Sequence, residues 1–328
     1  MKQAGFRFIA RTLSLSLGGP RLSILIYHRV LARPDPLFPA EVDAAAFMEQ
    51  MSLLSQMFRI LPLDDAIQRL RAGTLPPGAA AVTFDDGYAD NADIALPILK
   101  MAGVPATFFI ATGFLDGGRM WNDTIIEFVR RVPLPELDLR PAGLGCHRTG
   151  SLAERKAAIQ ALIGTMKYLP PDTRLERIET MLRCVPVDLP HDLMMRSDQV
   201  RALSRAGMGI GGHTVNHPIL ASVDDASALQ EMVNGKRRLE DITSAPVTLF
   251  AYPNGKPGKD YHLRHAELAR KAGFQAAVST AWGAAGKESD PFQLPRFTPW
   301  DRHPDRFRLR MAMNLTRRNE ERVFAEAA

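Results

Sequence analysis

Short, nearly continuous apolar runs recur along this 328-residue chain and end on polar residues or glycine. Leu22-Ser23-Ile24-Leu25-Ile26-Tyr27 runs into His28, and Ala79-Ala80-Ala81-Val82-Thr83-Phe84 runs into Asp85. Ala106-Thr107-Phe108-Phe109-Ile110 is a third, and Gly209–Gly212, Val247–Ala251 and Ala276–Val278 are further candidates. A strand that is apolar at successive positions is covered on both faces, as in a parallel sheet flanked by helices. Helical spacing fills the intervals: about Phe47 to Met57, Ala92 to Ala102 before Gly103, Ala226 to Ile242, and Tyr261 to Ala272 before Gly273. Strands alternating with helices imply right-handed crossovers and an α/β fold, either barrel or doubly wound.

One stretch breaks the rhythm. Residues 119–196 offer no strand pattern, but show helical segments near 122–132, 151–167 and 173–184 between proline-rich turns. The expected organisation is an N-terminal lead-in over 1–20, an α/β barrel over 21–118 and 197–300, a helical insertion over 119–196, and a basic tail over 301–328. Hydrophobic residues are 46% of the chain and charged residues 23%, which supplies a substantial core and argues against disorder. Cys146 and Cys184 belong to no CxxC pair, so a zinc knuckle is not expected, and two free thiols are the default.

The net charge of +5 is concentrated at the ends. Lys2, Arg7, Arg11 and Arg21 precede the first acid, Asp35, while Arg302, Arg306, Arg308, Arg310, Arg317, Arg318 and Arg322 crowd the C-terminus. Such clusters suit a solvated surface or peripheral association with an anionic membrane. No nucleic-acid-binding motif accompanies them, and nucleic acid is not an expected partner. The apolar stretch after Arg11 is short and serine-rich without a clean cleavage site, so it reads as an amphipathic lead-in. No run approaches 18 apolar residues, and no transmembrane helix is expected. A cytoplasmic or inner-membrane-peripheral location follows as the expectation, with an extracytoplasmic one left open.

Two constellations carry chemistry. In Thr83-Phe84-Asp85-Asp86-Gly87-Tyr88, adjacent carboxylates terminate an apolar strand. Like charges buried together need compensation, and a cation supplies it: one carboxylate binds metal while the other stays free as a base. In Gly211-Gly212-His213-Thr214-Val215-Asn216-His217-Pro218, two imidazoles four residues apart suit one face of a helical turn and one shared metal. Each motif follows a predicted strand, and strand C-termini converge on the active face of α/β folds. Two histidines and one carboxylate leave an open coordination position, the mark of a catalytic site.

With these motifs in this order, the chain resembles the polysaccharide deacetylases with NodB homology, carbohydrate esterase family 4. Pro105-Ala106-Thr107-Phe108-Phe109 and His217-Pro218-Ile219-Leu220 before a long helix agree. The resemblance covers roughly residues 20–118 and 197–300, with the helical insertion outside it. It implies a distorted (β/α) barrel with fewer than eight repeats. It makes Asp85 the general base, and Asp86, His213 and His217 ligands of a divalent metal, usually zinc. Phe250-Ala251-Tyr252-Pro253-Asn254-Gly255 resembles the third family motif, a groove wall in which the Tyr252 N–H helps to hold the oxyanion. Ala251 stands where many members carry arginine. Leu294-Pro295-Arg296-Phe297 resembles the fourth motif, whose arginine orients the base, so Arg296 is expected to pair with Asp85.

The fifth motif, a Leu-x-His that supplies the general acid, is not evident. His28, at the end of the first strand, and His303, in Trp300-Asp301-Arg302-His303-Pro304, are the candidates, with His28 favoured. Trp300 and Tyr88 offer aromatic faces to a sugar ring, and Trp121 opens the helical insertion. The expected activity is metal-dependent deacetylation of an acetylated sugar or polysaccharide, N-acetylhexosamine-containing, with release of acetate. A hydrolase of a small cyclic amide or imide on the same scaffold and a carbohydrate-binding pseudoenzyme are the alternatives.

Overall fold

The computed structural model describes residues 12–15, 19–299, 301–317 and 321–324. The apolar runs form a parallel sheet. Its strands are β1 (Leu22–Tyr27), β2 (Arg59–Ile60), β3 (Ala79–Phe84), β4 (Ala106–Ile110), β7 (Gly209–Gly212), β8 (Leu249–Ala251) and β9 (Ala276–Val278). The order is β1-β3-β4-β7-β8-β9, with β2 also paired to β3. Every residue of β1, β3 and β4 is buried, as their apolar composition requires. Tyr27, Phe84 and Phe108 stack in sequence beneath one side of the sheet, at centroid distances of 5.4 and 4.7 Å.

The sheet curls into a half-barrel with helices around it, a distorted (β/α) barrel. The gap between its two edges is bridged by the segment that contains Arg296. Leu294 bonds to Ala277 and Ser279 on the β9 side, and Phe297 exchanges backbone hydrogen bonds with Ile24 and Ile26 on the β1 side. Arg296 therefore sits mid-span, and its side chain enters the barrel.

The helices described in full include α1 (Ala44–Met57), α2 (Leu63–Ala72), α3 (Leu96–Ala102), α4 (Trp121–Arg131), α5 (Leu152–Met166), α6 (Pro171–Cys184), α7 (Ser197–Arg205), α8 (Asp225–Thr243), α9 (Leu263–Lys271) and α10 (Pro304–Leu315). Among the described residues none is long and apolar enough to cross a membrane.

Several expectations need correction. The helix expected over Ala92–Ala102 begins as a π-turn at Asn91–Ala95 and becomes α-helical only at Leu96. Segment 119–196 contains a strand pair after all, β5 (Glu136–Asp138) against β6 (Cys146–Arg148). Its three-residue strands are too short to show a period. The segment has its own apolar cluster around Phe128, Leu137, Leu162 and Met181. The basic tail is not a tail throughout, because α10 packs Phe307, Met311 and Leu315 into the main core. Both cysteines are free.

Candidate active site

Asp85 follows the last residue of β3, and its N–H still joins the ladder by donating to the Tyr27 carbonyl at 2.9 Å. Asp86 then turns into the left-handed region, φ 76°. Aspartate tolerates that region better than most residues. Gly87 continues the turn at φ 92°, where a Cβ would lie 2.9 Å from an Ile110 methyl carbon. The sharp exit separates the adjacent carboxylates. Asp85 reaches Arg296, whose Nη1 and Nη2 lie 2.6 Å from its two oxygens. Both residues are almost fully buried. Burial pushes the Asp85 carboxyl up, but the Arg296 guanidinium, with His213 and His28, outweighs it and holds the group below the usual carboxylate range.

Asp86 points to the histidines. Its Oδ1 lies 3.3 Å from His213 Nε2 and 3.4 Å from His217 Nε2, and the two ring nitrogens are 3.1 Å apart. These atoms mark a near-equilateral triangle. A triangle of side about 3.3 Å has its centre about 1.9 Å from each corner, close to the ~2.0–2.2 Å of zinc bonds to imidazole and carboxylate. The donor set therefore fits a divalent metal, and the same three residues form the candidate metal group among the described residues.

The backbone here differs from the expected helical turn. Thr214 and His217 both take positive φ, 68° and 52°, so the histidines converge from a tight loop. That loop is clamped by Glu231 on α8, whose Oε2 accepts from the N–H groups of Val215 and Asn216 at 2.8 Å each. Its Oε1 accepts from Asn216 Nδ2. Gly235, one turn on, lets α8 approach: a Cβ there would stand 2.8 Å from the Thr214 carbonyl oxygen. Glu231 and Gly235 escaped sequence reading because their partners, mostly backbone atoms, lie on a loop outside α8.

His213 Nδ1 lies 2.7 Å from the Ala251 carbonyl oxygen. Donation of Nδ1–H to that oxygen leaves Nε2 free as a metal ligand, the usual outer support for a ligating imidazole. Ala251 thus orients His213 through its carbonyl. Burial pushes the His213 imidazole down, but Asp85 and Asp86 outweigh it and raise its pKa. Burial brings His217 down to about 4, with Asp86 opposing. For Asp86, burial is outweighed by the two imidazoles and His28, and its carboxyl stays well below the usual range. A cation seated here would displace the histidine proton.

Asp85, Asp86, His213 and His217 form part of the wall of a cavity of about 400 Å³. His28 lines it as well. The exit of β1 that carries His28 is pinned by two residues the sequence reading passed over. Asn91 Nδ2 donates to the His28 carbonyl at 2.9 Å, while Asp90 accepts from the Val30 N–H and from Arg29 Nε. His303 lies elsewhere: it is exposed at the start of α10, where its Nδ1 accepts from the Asp305 N–H.

The third motif behaves only partly as expected. Tyr252 N–H donates to the Val278 carbonyl at 3.2 Å, so the sheet already uses the donor proposed for the oxyanion. The Tyr252 ring is buried, stacked 4.0 Å from Tyr261. Of Tyr252, Pro253, Asn254 and Gly255, only Asn254 belongs to the cavity wall, next to Thr280. Gly255 makes the turn behind it at φ 69°. Tyr88 also reaches the cavity, but the Arg29 guanidinium covers its ring at 4.7 Å. Trp300 lies outside the described residues.

The sequence pattern of the polysaccharide deacetylase family matches residues 72–137 and 148–277. The chain belongs to this family of hydrolases. The match runs through much of segment 119–196 as well as the sheet. YxkH of Bacillus subtilis (strain 168), named for the polysaccharide deacetylases, is 21% identical over 277 residues, 84% of this chain and 70% of YxkH. Among solved structures, the Streptococcus pyogenes deacetylase PplD in complex with acetate superposes with a TM-score of 0.61 at 18% identity, covering 90% of this chain and 99% of that one. IcaB from Ammonifex degensii gives 0.59 at 19%, covering 91% and 98%. At these identities the likeness is one of fold.

Proposed function

We propose that the protein removes acetyl groups from an N-acetylhexosamine-containing saccharide in a metal-dependent hydrolysis that releases acetate. The observation that carries this reading is a carboxylate kept ionised by a buried arginine, Asp85 with Arg296, beside the converging Asp86, His213 and His217. Zinc suits two imidazoles and a carboxylate, and when bound it supplies a Lewis acid for the acetyl carbonyl and the attacking water.

The remaining work falls to the chain. Asp85 accepts the proton of the water as its oxygen adds to the acetyl carbon. Arg296 holds both Asp85 oxygens, which fixes the carboxylate plane and keeps it charged at neutral pH. His28, on the cavity wall, gives a proton to the leaving nitrogen or oxygen as its bond to the acyl carbon breaks. The products are acetate and the free amine or hydroxyl.

Hydrolysis of a small cyclic amide or imide is the second reading. It is favoured by α4 and α5, which wall the cavity with Trp121, Ile126 and Ile163 and narrow what would otherwise be an open groove. Incubating the zinc-loaded protein with acetylated oligosaccharides and, separately, with cyclic imides discriminates the two. Acetate release without ring opening is expected, and ring opening without acetate release would replace the first reading by the second.

A further inference from the structure

Asp123 is a buried carboxylate that the proposed reaction does not use. It lies in the first turn of α4, is 4% exposed, and belongs to the wall of the cavity that holds the Asp86, His213 and His217 group. Its Oδ1 accepts the Tyr88 hydroxyl at 3.2 Å. Its Oδ2 is shielded from solvent and accepts no hydrogen bond among the described residues. The nearby cation does not compensate it directly, because Arg29 Nε is bound to Asp90 at 2.8 Å and the Arg29 guanidinium lies over the Tyr88 ring. A buried acceptor left without a donor is destabilising. A folded protein that retains one generally holds it for a ligand, a water or a redox or catalytic role.

The neighbours indicate which ligand. Trp121 and Asn122 precede Asp123 in the same turn and also line the cavity. Trp121 is braced by the Arg174 guanidinium at 4.7 Å from its ring. A planar aromatic surface, a side-chain amide that donates and accepts, and a carboxylate oxygen in need of a donor together match a pyranose. Such a ring offers an apolar C–H face and several hydroxyl donors.

We propose that Trp121, Asn122 and Asp123 form a saccharide subsite in which Asp123 Oδ2 hydrogen-bonds a ring hydroxyl of the substrate. The inference rests on the proposed reading as a saccharide deacetylase and assigns to α4 the recognition of the sugar itself, apart from its acetyl group. Asp123 is a specificity residue in this scheme and takes no part in the proton transfers.

The test is calorimetric titration of tri-N-acetylchitotriose into the zinc-loaded Asp85→Asn protein, so that no turnover disturbs the binding signal. Adding Asp123→Asn is expected to weaken binding at least tenfold, and adding Asn122→Ala at least threefold. Asn122 is half-buried with no packing role in the core, so its variant keeps the test decisive if Asp123→Asn folds poorly. Both variants should hold the same amount of zinc as the parent protein by elemental analysis, which shows that the site itself is intact. Failure of the trimer to bind, or binding unchanged in both variants, overturns the subsite. Binding of the trimer that depends on Asp123, without acetate release by the native protein, supports the subsite and contradicts the proposed reaction instead.

Discussion

Arg296 and Asp85 face each other through two parallel hydrogen bonds of 2.6 Å, from residues 211 positions apart, in the interior of the barrel. The arginine arrives on the segment that closes the gap between β9 and β1, and the aspartate on the end of β3. Closure of the sheet and the pairing of Arg296 with Asp85 are thus one structural event. Removing one member of a buried pair leaves an uncompensated charge, at about 3–5 kcal/mol. Arg296→Met should lose stability of that order in urea melts and lose deacetylation with it. Asp85→Asn keeps the shape, removes the proposed base and leaves Arg296 without its counter-charge, so it too should lose stability. It should bind zinc normally while acetate release falls at least ~10³-fold, near the upper range for general-base loss. Normal turnover in the asparagine variant would remove Asp85 from its role.

The metal group makes a prediction about stoichiometry. His213→Ala should lower bound zinc from about one equivalent to well below it, measured by elemental analysis after dialysis. Full retention would exclude the ligand set. Gly235→Ala probes the same group from outside. Its Cβ would press on the Thr214 carbonyl, 2.8 Å away, and must shift the loop that carries both histidines. Overpacking of this kind costs about 1–3 kcal/mol. Zinc affinity should fall at least tenfold, whereas a purely global destabilisation would lower the melting temperature and leave affinity intact.

The general acid is tested by comparing two histidines. His28 lines the cavity and His303 caps α10 outside its wall. His28→Ala should reduce kcat for an amide-linked acetyl group by about 10²–10⁴ with KM little changed. His303→Ala should remain within twofold of the native rate. The opposite pattern would transfer the assignment to His303.

Asp123 carries a pH dependence. Burial, with the charge of Asp86 added and Arg29 opposing, lifts its pKa to about 7. An unfolded aspartate titrates near ~3.9. Between those values the folded protein holds a proton that the unfolded chain has released, so this group lowers stability as pH rises from about 4 through about 7. Asparagine has no such charge. The stability of Asp123→Asn relative to the native protein should therefore increase between pH 5 and pH 8, by on the order of a few kcal/mol. A difference that does not change with pH would contradict the burial argument.

The sheet was legible because β1, β3 and β4 are apolar at every position, a pattern that follows directly from burial on both faces. The Asp85-Asp86 and His213–His217 motifs were legible because the elements of each are contiguous. The positive φ of Thr214 and His217 was not, since HxxxH spacing also satisfies a helix and the clamp from Glu231 is 14 residues beyond His217. Helix α2 was legible but missed: Asp64 and Asp65 open it, Gly73 caps it, and Leu63, Ala66, Ile67 and Leu70 form a buried face at helical spacing. The C-terminal arginines masked α10, whose inward face is Phe307, Met311 and Leu315. The engagement of the Tyr252 N–H by Val278 is a matter of register between β8 and β9, which no single strand encodes.

On the proposed reading, a metal held by Asp86, His213 and His217 makes this chain a deacetylase. The direct measurement is acetate release from N-acetylated hexosamine oligomers by protein stripped with a chelator, then reloaded with one equivalent of zinc. No release is expected from the stripped protein and full recovery on reloading, whereas His213→Ala should release no acetate in either state. Equal release before and after stripping, with metal removal verified by elemental analysis, would contradict it.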